Sequence, residues 1–169
     1  RRLDRILDNA ERELAFEAME GHYQNAIRLL TSNKIRSAFD VGLESDPVRD
    51  SYGRTKIGGR CLMARRLVER GTRFVQVWSG PQGSTGNWDN PGSITKELPP
   101  IAASVDQPIA ALLRDLKSRG LFEDTLLIWT TEFGRTPFAQ NKDGRDHNPG
   151  GFTVWLAGGG IKPGIVHGA

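Results

Sequence analysis

Apolar residues recur at helical intervals from Leu3 to Leu30, through Leu7, Leu14, Tyr23 and Ile27, and Gly21 marks a kink or break in that pattern. Asn33–Phe39 continues the helical region, so residues 1–40 read as a helical N-terminal part of one domain spanning 1–169. Asp46-Pro47 is a helix start, because aspartate accepts bonds from free amides and proline suits the first turn. That helix is short and ends near Gly53. A stronger one runs from Ile57 to Arg70, with Ile57, Cys61, Ala64 and Val68 inward and Gly71 where a left-handed cap is needed.

The period then changes. Arg73-Phe-Val-Gln-Val-Trp78 reads as a buried strand, and residues 79–97 as a long loop rich in Gly, Ser, Asn and Pro. Ile101, Val105, Ile109, Leu112 and Leu116 trace a helix that is kinked or restarted near Pro108 and ended by Gly120. Two further strands follow, over Thr125–Thr131 and Phe152–Ala157. Gly158-Gly-Gly160 makes a turn, and Ile165-Val166 begins a last short strand. This order predicts an α/β domain with a mostly parallel sheet flanked by helices. A right-handed crossover joins strand 73–78 to strand 125–131. The loops after Trp78 and Thr131 then share one end of the sheet, which makes Asp89 and Glu132 candidates for one site.

The chain of 169 residues is 37% hydrophobic and 25% charged, the composition of a globular domain, and no apolar run reaches the roughly 20 residues a membrane span needs. Cys61 is the sole cysteine, which excludes an internal disulfide and a thiolate zinc site. With three histidines, carboxylates would carry much of any metal coordination. The net charge of +3 gathers between Arg49 and Arg73. That stripe lies on an amphipathic helix without interleaved aromatics, so it reads as a solvated face and not as a nucleic-acid surface. The start inside a charged helical pattern and the end just after an apolar pair predict a piece of a longer protein.

The densest chemistry lies in residues 131–148, TEFGRTPFAQNKDGRDHN, read as a loop behind a buried strand. Glu132, Asp146 and His147 offer carboxylate and imidazole ligands, and Arg135 and Arg145 carry planar forks for phosphate or sulfate oxygens. Zinc or manganese suits mixed ligands, whereas calcium or magnesium prefers oxygens. In open α/β sheets ligands bind beyond the carboxyl ends of the strands. Trp88-Asp89-Asn90 adds a carboxylate from the earlier loop. Cys61-Leu-Met-Ala-Arg65 has the cysteine-to-arginine spacing of a type I sulfatase nucleophile motif, but Met63 replaces the proline and the segment is helical. Cys61 is therefore read as a buried helix residue. No Walker loop and no Gly-x-Ser-x-Gly elbow is present.

The runs Cys61–Gly71, Arg73–Val77, Asn87-Trp-Asp89, Glu132–Pro137, Gly144-Arg-Asp-His147 and Leu156–Lys162 together resemble a sulfatase-like bacterial family, abundant in planctomycetes, catalogued as domain of unknown function 1501. The resemblance implies an alkaline phosphatase-like fold lacking its first core strand, and hydrolysis of phosphoric or sulfuric esters of a small molecule or carbohydrate. It implies a divalent metal (zinc, manganese or calcium) held by Asp89, Glu132, Asp146 and His147, with Arg135 and Arg145 on the anion. The nucleophile would lie upstream of Arg1, and the full-length protein would be exported or periplasmic. Pro91 departs from the pattern by standing where a histidine ligand is expected. A non-catalytic envelope or carbohydrate-associated protein is the rival expectation. A shared cation requires Asp89, Glu132 and His147 to place ligand atoms within roughly 3–5 Å of one another.

Overall fold

A computed structural model describes residues 16–17, 19–25, 27–28, 31–80 and 88–168. The chain divides into two compact units, Arg1–Asp40 and Val41–Ala169. In the first, the described residues between 16 and 28 are helical, with Gly21 inside the run 19–25, and helix α1 spans Asn33–Phe39. The rest of the Leu3–Leu30 pattern lies outside the described residues.

The second unit is built on helices. After a 3-10 turn at Val41–Leu43, α2 spans Asp46–Ser51, α3 Lys56–Glu69 and α4 Ile94–Ser118. Pro47 sits in the first turn of α2, as its fixed φ allows. The Thr55 hydroxyl caps α3 by accepting from the Gly58 amide at 3.0 Å, and the chain leaves that helix through Gly71 at φ 91°. Helix α4 departs from expectation twice. It begins at Ile94, inside the anticipated loop, and it runs unbroken through Pro99, Pro100 and Pro108. The core forms where α2, α3 and α4 meet, from Tyr52, Cys61, Leu62, Ala111, Leu112 and Leu116, with Phe122 and Leu127 packed against it. Burial pushes the Cys61 thiol up to about 11.

The expected mostly parallel, alkaline phosphatase-like sheet is not what forms. The described strands make two antiparallel pairs: β1 (Leu126–Trp129) with β4 (Trp155–Gly158), and β2 (Gly134–Gln140) with β3 (Gly144–Asn148). Residues 73–78 join no ladder, and Phe74 and Trp78 stand 80% and 70% exposed. Without that partner there is no parallel crossover, and β1 takes the later strand β4 instead. The strand expected to be buried is largely open: among its residues Leu127 reaches the core, while Leu126 and Ile128 on the other face are exposed. Ile165 and Val166 form no strand. Most of the anticipated 131–148 loop is the β2–β3 hairpin.

The basic stripe also differs from a solvated face. Arg65 and Arg66 are buried. The Arg65 guanidinium contacts Glu69 at 2.7 Å, Asp115 at 2.8 Å and Glu44 at 2.9 Å. Arg66 pairs with Glu44, and Arg119 with Asp115 and Glu69. The Tyr52 hydroxyl donates to Asp115 at 3.0 Å. This network ties α3 to α4 and to the segment before α2. Desolvation would raise the pKa of Glu44, but the bonds and charges of Arg65 and then Arg66 outweigh it and hold the group below the ordinary carboxylate value. Among the described residues no helix is long and apolar enough to cross a membrane.

Candidate functional site

The hairpin presents the site, and a staple holds the 88–93 segment against it. The turn after β2 passes through Asn141 at φ 56°, a left-handed conformation that asparagine tolerates. The Asn141 side-chain amide donates to the Pro91 carbonyl at 3.1 Å, and the Arg145 amide reaches the Asn90 carbonyl at 3.4 Å. Ser93 and Thr95, at the start of α4, donate their hydroxyls to the Asp143 carboxylate at 3.0 and 2.6 Å. Gly144 permits the close approach, because a Cβ there would lie 2.1 Å from the Pro91 carbonyl oxygen. These contacts bring Asp89 onto the hairpin.

Arg135 and His147 are direct cross-strand partners, so their side chains leave the same face of the hairpin. Asp89 meets both. Its Oδ1 lies 2.7 Å from His147 Nε2 and 2.9 Å from Arg135 Nη1. The Phe133 ring tilts against the His147 ring at 4.6 Å between centroids, which fixes the imidazole from a second side. The bond with His147 and then that with Arg135 hold the Asp89 carboxyl below its ordinary pKa. The stabilisation from this contact is therefore present above the ordinary carboxylate value and is lost as pH falls through the lowered one. An imidazole donating from Nε2 keeps Nδ1 as its lone-pair nitrogen, able to accept a proton or bind a cation. The His147 side chain is 52% exposed, so the ring is partly open to solutes.

The remaining expected site residues are placed differently. Asp146 neighbours His147 on β3, and alternation along a strand sends the two side chains to opposite faces. The Asp146 carboxylate instead accepts the His147 amide at 2.7 Å. Glu132 accepts from the hydroxyl of its neighbour Thr131 at 3.1 Å. Arg145 turns back to donate to the carbonyls of Asp143 and Gly144 at 3.1 and 2.9 Å. Among the described residues no group of three or more His, Cys, Asp and Glu side chains could hold a metal ion. Asp89 and His147 supply two donors, and Arg135 already presents its positive charge to the same oxygen.

Sequence reasoning assigned Arg135 to an external anion and missed that it pairs with Asp89. The signal was the run Asn141-Lys-Asp-Gly144 between two extended segments, which marks a hairpin and would have placed Arg135 opposite His147. Trp88 likewise escaped notice as a structural contact; its ring meets Trp129 edge-on at 5.9 Å.

No curated protein and no solved structure matches the chain. A family profile described as "Protein of unknown function (DUF1501)" matches residues 1–169. Since the match takes in every element described above, the chain belongs to the DUF1501 family.

Proposed function

We propose that this chain serves the hydrolysis of phosphoric or sulfuric esters, the sulfatase-like chemistry that its sequence resemblance implies, with Asp89, His147 and Arg135 as the working centre. One observation carries the reading. An aspartate 58 positions before the histidine meets its Nε2, while an arginine shares the same carboxylate oxygen. Asp89 orients the imidazole and stabilises it when protonated, and His147 Nδ1 moves a proton at the reacting oxygen. Of the five N–H donors of Arg135, Nη1 serves Asp89 and the Arg145 carbonyl and Nη2 reaches the Trp88 carbonyl, so Nε–H and the second Nη2–H are the ones offered to an ester oxyanion. A divalent zinc, manganese or calcium ion would meet two donors, Asp89 and His147, and would act as a Lewis acid. A structural zinc takes about four ligands and a catalytic one about three from protein. The described residues fall short of that, and the reading does not depend on the ion.

A non-catalytic envelope or carbohydrate-associated role is the second reading. It is favoured by Pro91, which stands where resembling proteins carry a histidine, and by the short donor set.

The test compares aryl phosphate and aryl sulfate hydrolysis by this chain and by a longer family polypeptide containing it, with and without zinc, manganese or calcium. The resemblance puts the nucleophile upstream of Arg1, so turnover is expected from the longer polypeptide and not from this chain alone. In the longer polypeptide His147→Ala should lower kcat by about 10²-fold or more, the usual contribution of a positioned acid–base group. Unchanged kcat in that variant removes His147 from the reaction. Inactivity of the longer polypeptide on every ester favours the non-catalytic role.

A further inference from the structure

The antiparallel register of β1 and β4 sets Trp129 directly opposite Trp155. Opposed residues share one face of a sheet, so both indoles project the same way as Leu127, which lies two positions before Trp129 and packs on the core. At the Leu127 end this face is closed against helix α4. At the tryptophan end α4 presents Ala102 and Ala103, whose small side chains do not fill the gap. An open groove of about 510 Å³ remains, lined by those alanines, Ile109, both tryptophans and Asp106.

Among the described residues Asp106, itself exposed, is the one charged group in that lining, and none of the lining residues is basic. It has no hydrogen-bond or ion-pair partner among the described residues. Charge and shape together restrict the occupant. An anion is repelled by Asp106. A sugar can stack its C–H face on an indole and keep its hydroxyls in water, but it brings no charge to offset Asp106. A neutral apolar group would cover the carboxylate without pairing it. A cation sheathed in methyl groups satisfies both surfaces, since indole faces attract cations through the ring quadrupole and the carboxylate neutralises the charge.

We propose that the groove between α4 and the β1–β4 sheet binds an organic ammonium ion of the quaternary, choline-like type, with Trp129 and Trp155 as its aromatic walls and Asp106 as its counter-ion. The binding does not involve the ester centre and requires no turnover.

The experiment follows the indole N–H resonances of nitrogen-15-labelled protein during titration with choline and, separately, with 3,3-dimethyl-1-butanol, its uncharged isostere. Ionic strength is held constant. Choline should shift the Trp129 and Trp155 signals saturably in the millimolar range, and the isostere should bind at least about fivefold more weakly. Asp106→Asn, at an exposed position, should weaken choline by several-fold, whereas Phe138→Ala on the exposed surface of β2 should leave it unchanged. Equal binding of choline and its isostere would reduce the groove to an apolar patch. Absence of a saturable shift, or full affinity in Asp106→Asn, would overturn the assignment. The isostere comparison uses the unaltered chain and stands even if a variant fails to fold.

Discussion

Arg65→Met tests whether the buried ion network is a structural requirement of the α3–α4 core. The Arg65 side chain is 0% exposed and faces carboxylates of Glu44, Glu69 and Asp115, all within 2.9 Å. Methionine keeps much of the volume and the helix propensity, so the substitution mainly removes charge and donors. Truncating one partner of a buried pair costs about 3–5 kcal/mol, because the carboxylates left behind stay desolvated. Arg66 still pairs with Glu44, and Arg119 with Asp115 and Glu69. That retained compensation puts the expected loss near the lower bound, about 3 kcal/mol. With a urea slope near 2 kcal/mol/M, the unfolding midpoint measured by circular dichroism should fall by roughly 1.5 M. Combining Arg65→Met with Glu44→Gln should cost about 1 kcal/mol or more below the sum of the single changes, because the second removes a charge the first stranded. The pH dependence has a definite sign. The folded-state pKa of Glu44 is depressed, so its contribution is present above its unfolded value, 4.5, and is lost as pH falls through the folded value. Acid should therefore cost the parent chain more stability than it costs Arg65→Met. A loss under about 1 kcal/mol, or strict additivity in the double variant, would refute the reasoning.

Two further outcomes test the core and the staple. Cys61 is 4% exposed and its thiol is pushed up to about 11, so a thiol reagent at neutral pH should label it only as fast as the protein opens. Rapid labelling without denaturant would show that α3 does not bury it. Gly144→Ala would force a Cβ against the Pro91 carbonyl and should cost about 1–3 kcal/mol, while releasing Asp89 from His147. Unchanged His147 ring resonances in that variant would mean the close approach is not what positions Asp89.

The sequence by itself determined what rests on local chemistry. Helices α2 and α3 were legible because Asp46-Pro47, the apolar spacing from Ile57 and the cap at Gly71 act within a turn or two of the residues they govern. Cys61 was legible for the same reason, as a position on an inward stripe. Asp89 and His147 stood out as chemistry-bearing residues, but their meeting did not. It depends on Asn141, Asp143 and Gly144 holding the 88–93 segment to a hairpin whose residues have the local composition of a loop.

Only the tertiary structure decided which strands pair and which charges are buried. Arg73–Trp78 has the composition of a strand, yet strand pairing needs a distant partner in register, and β1 pairs with β4 instead. In the same way Arg60 and Arg65 occupy one basic stripe and are chemically identical, but one stays exposed while the other is sealed among Glu44, Glu69 and Asp115. Two of those carboxylates lie outside α3, brought there by chain segments whose approach the stripe itself does not encode. Local propensity is a property of neighbours along the chain, whereas burial and pairing are properties of neighbours in space.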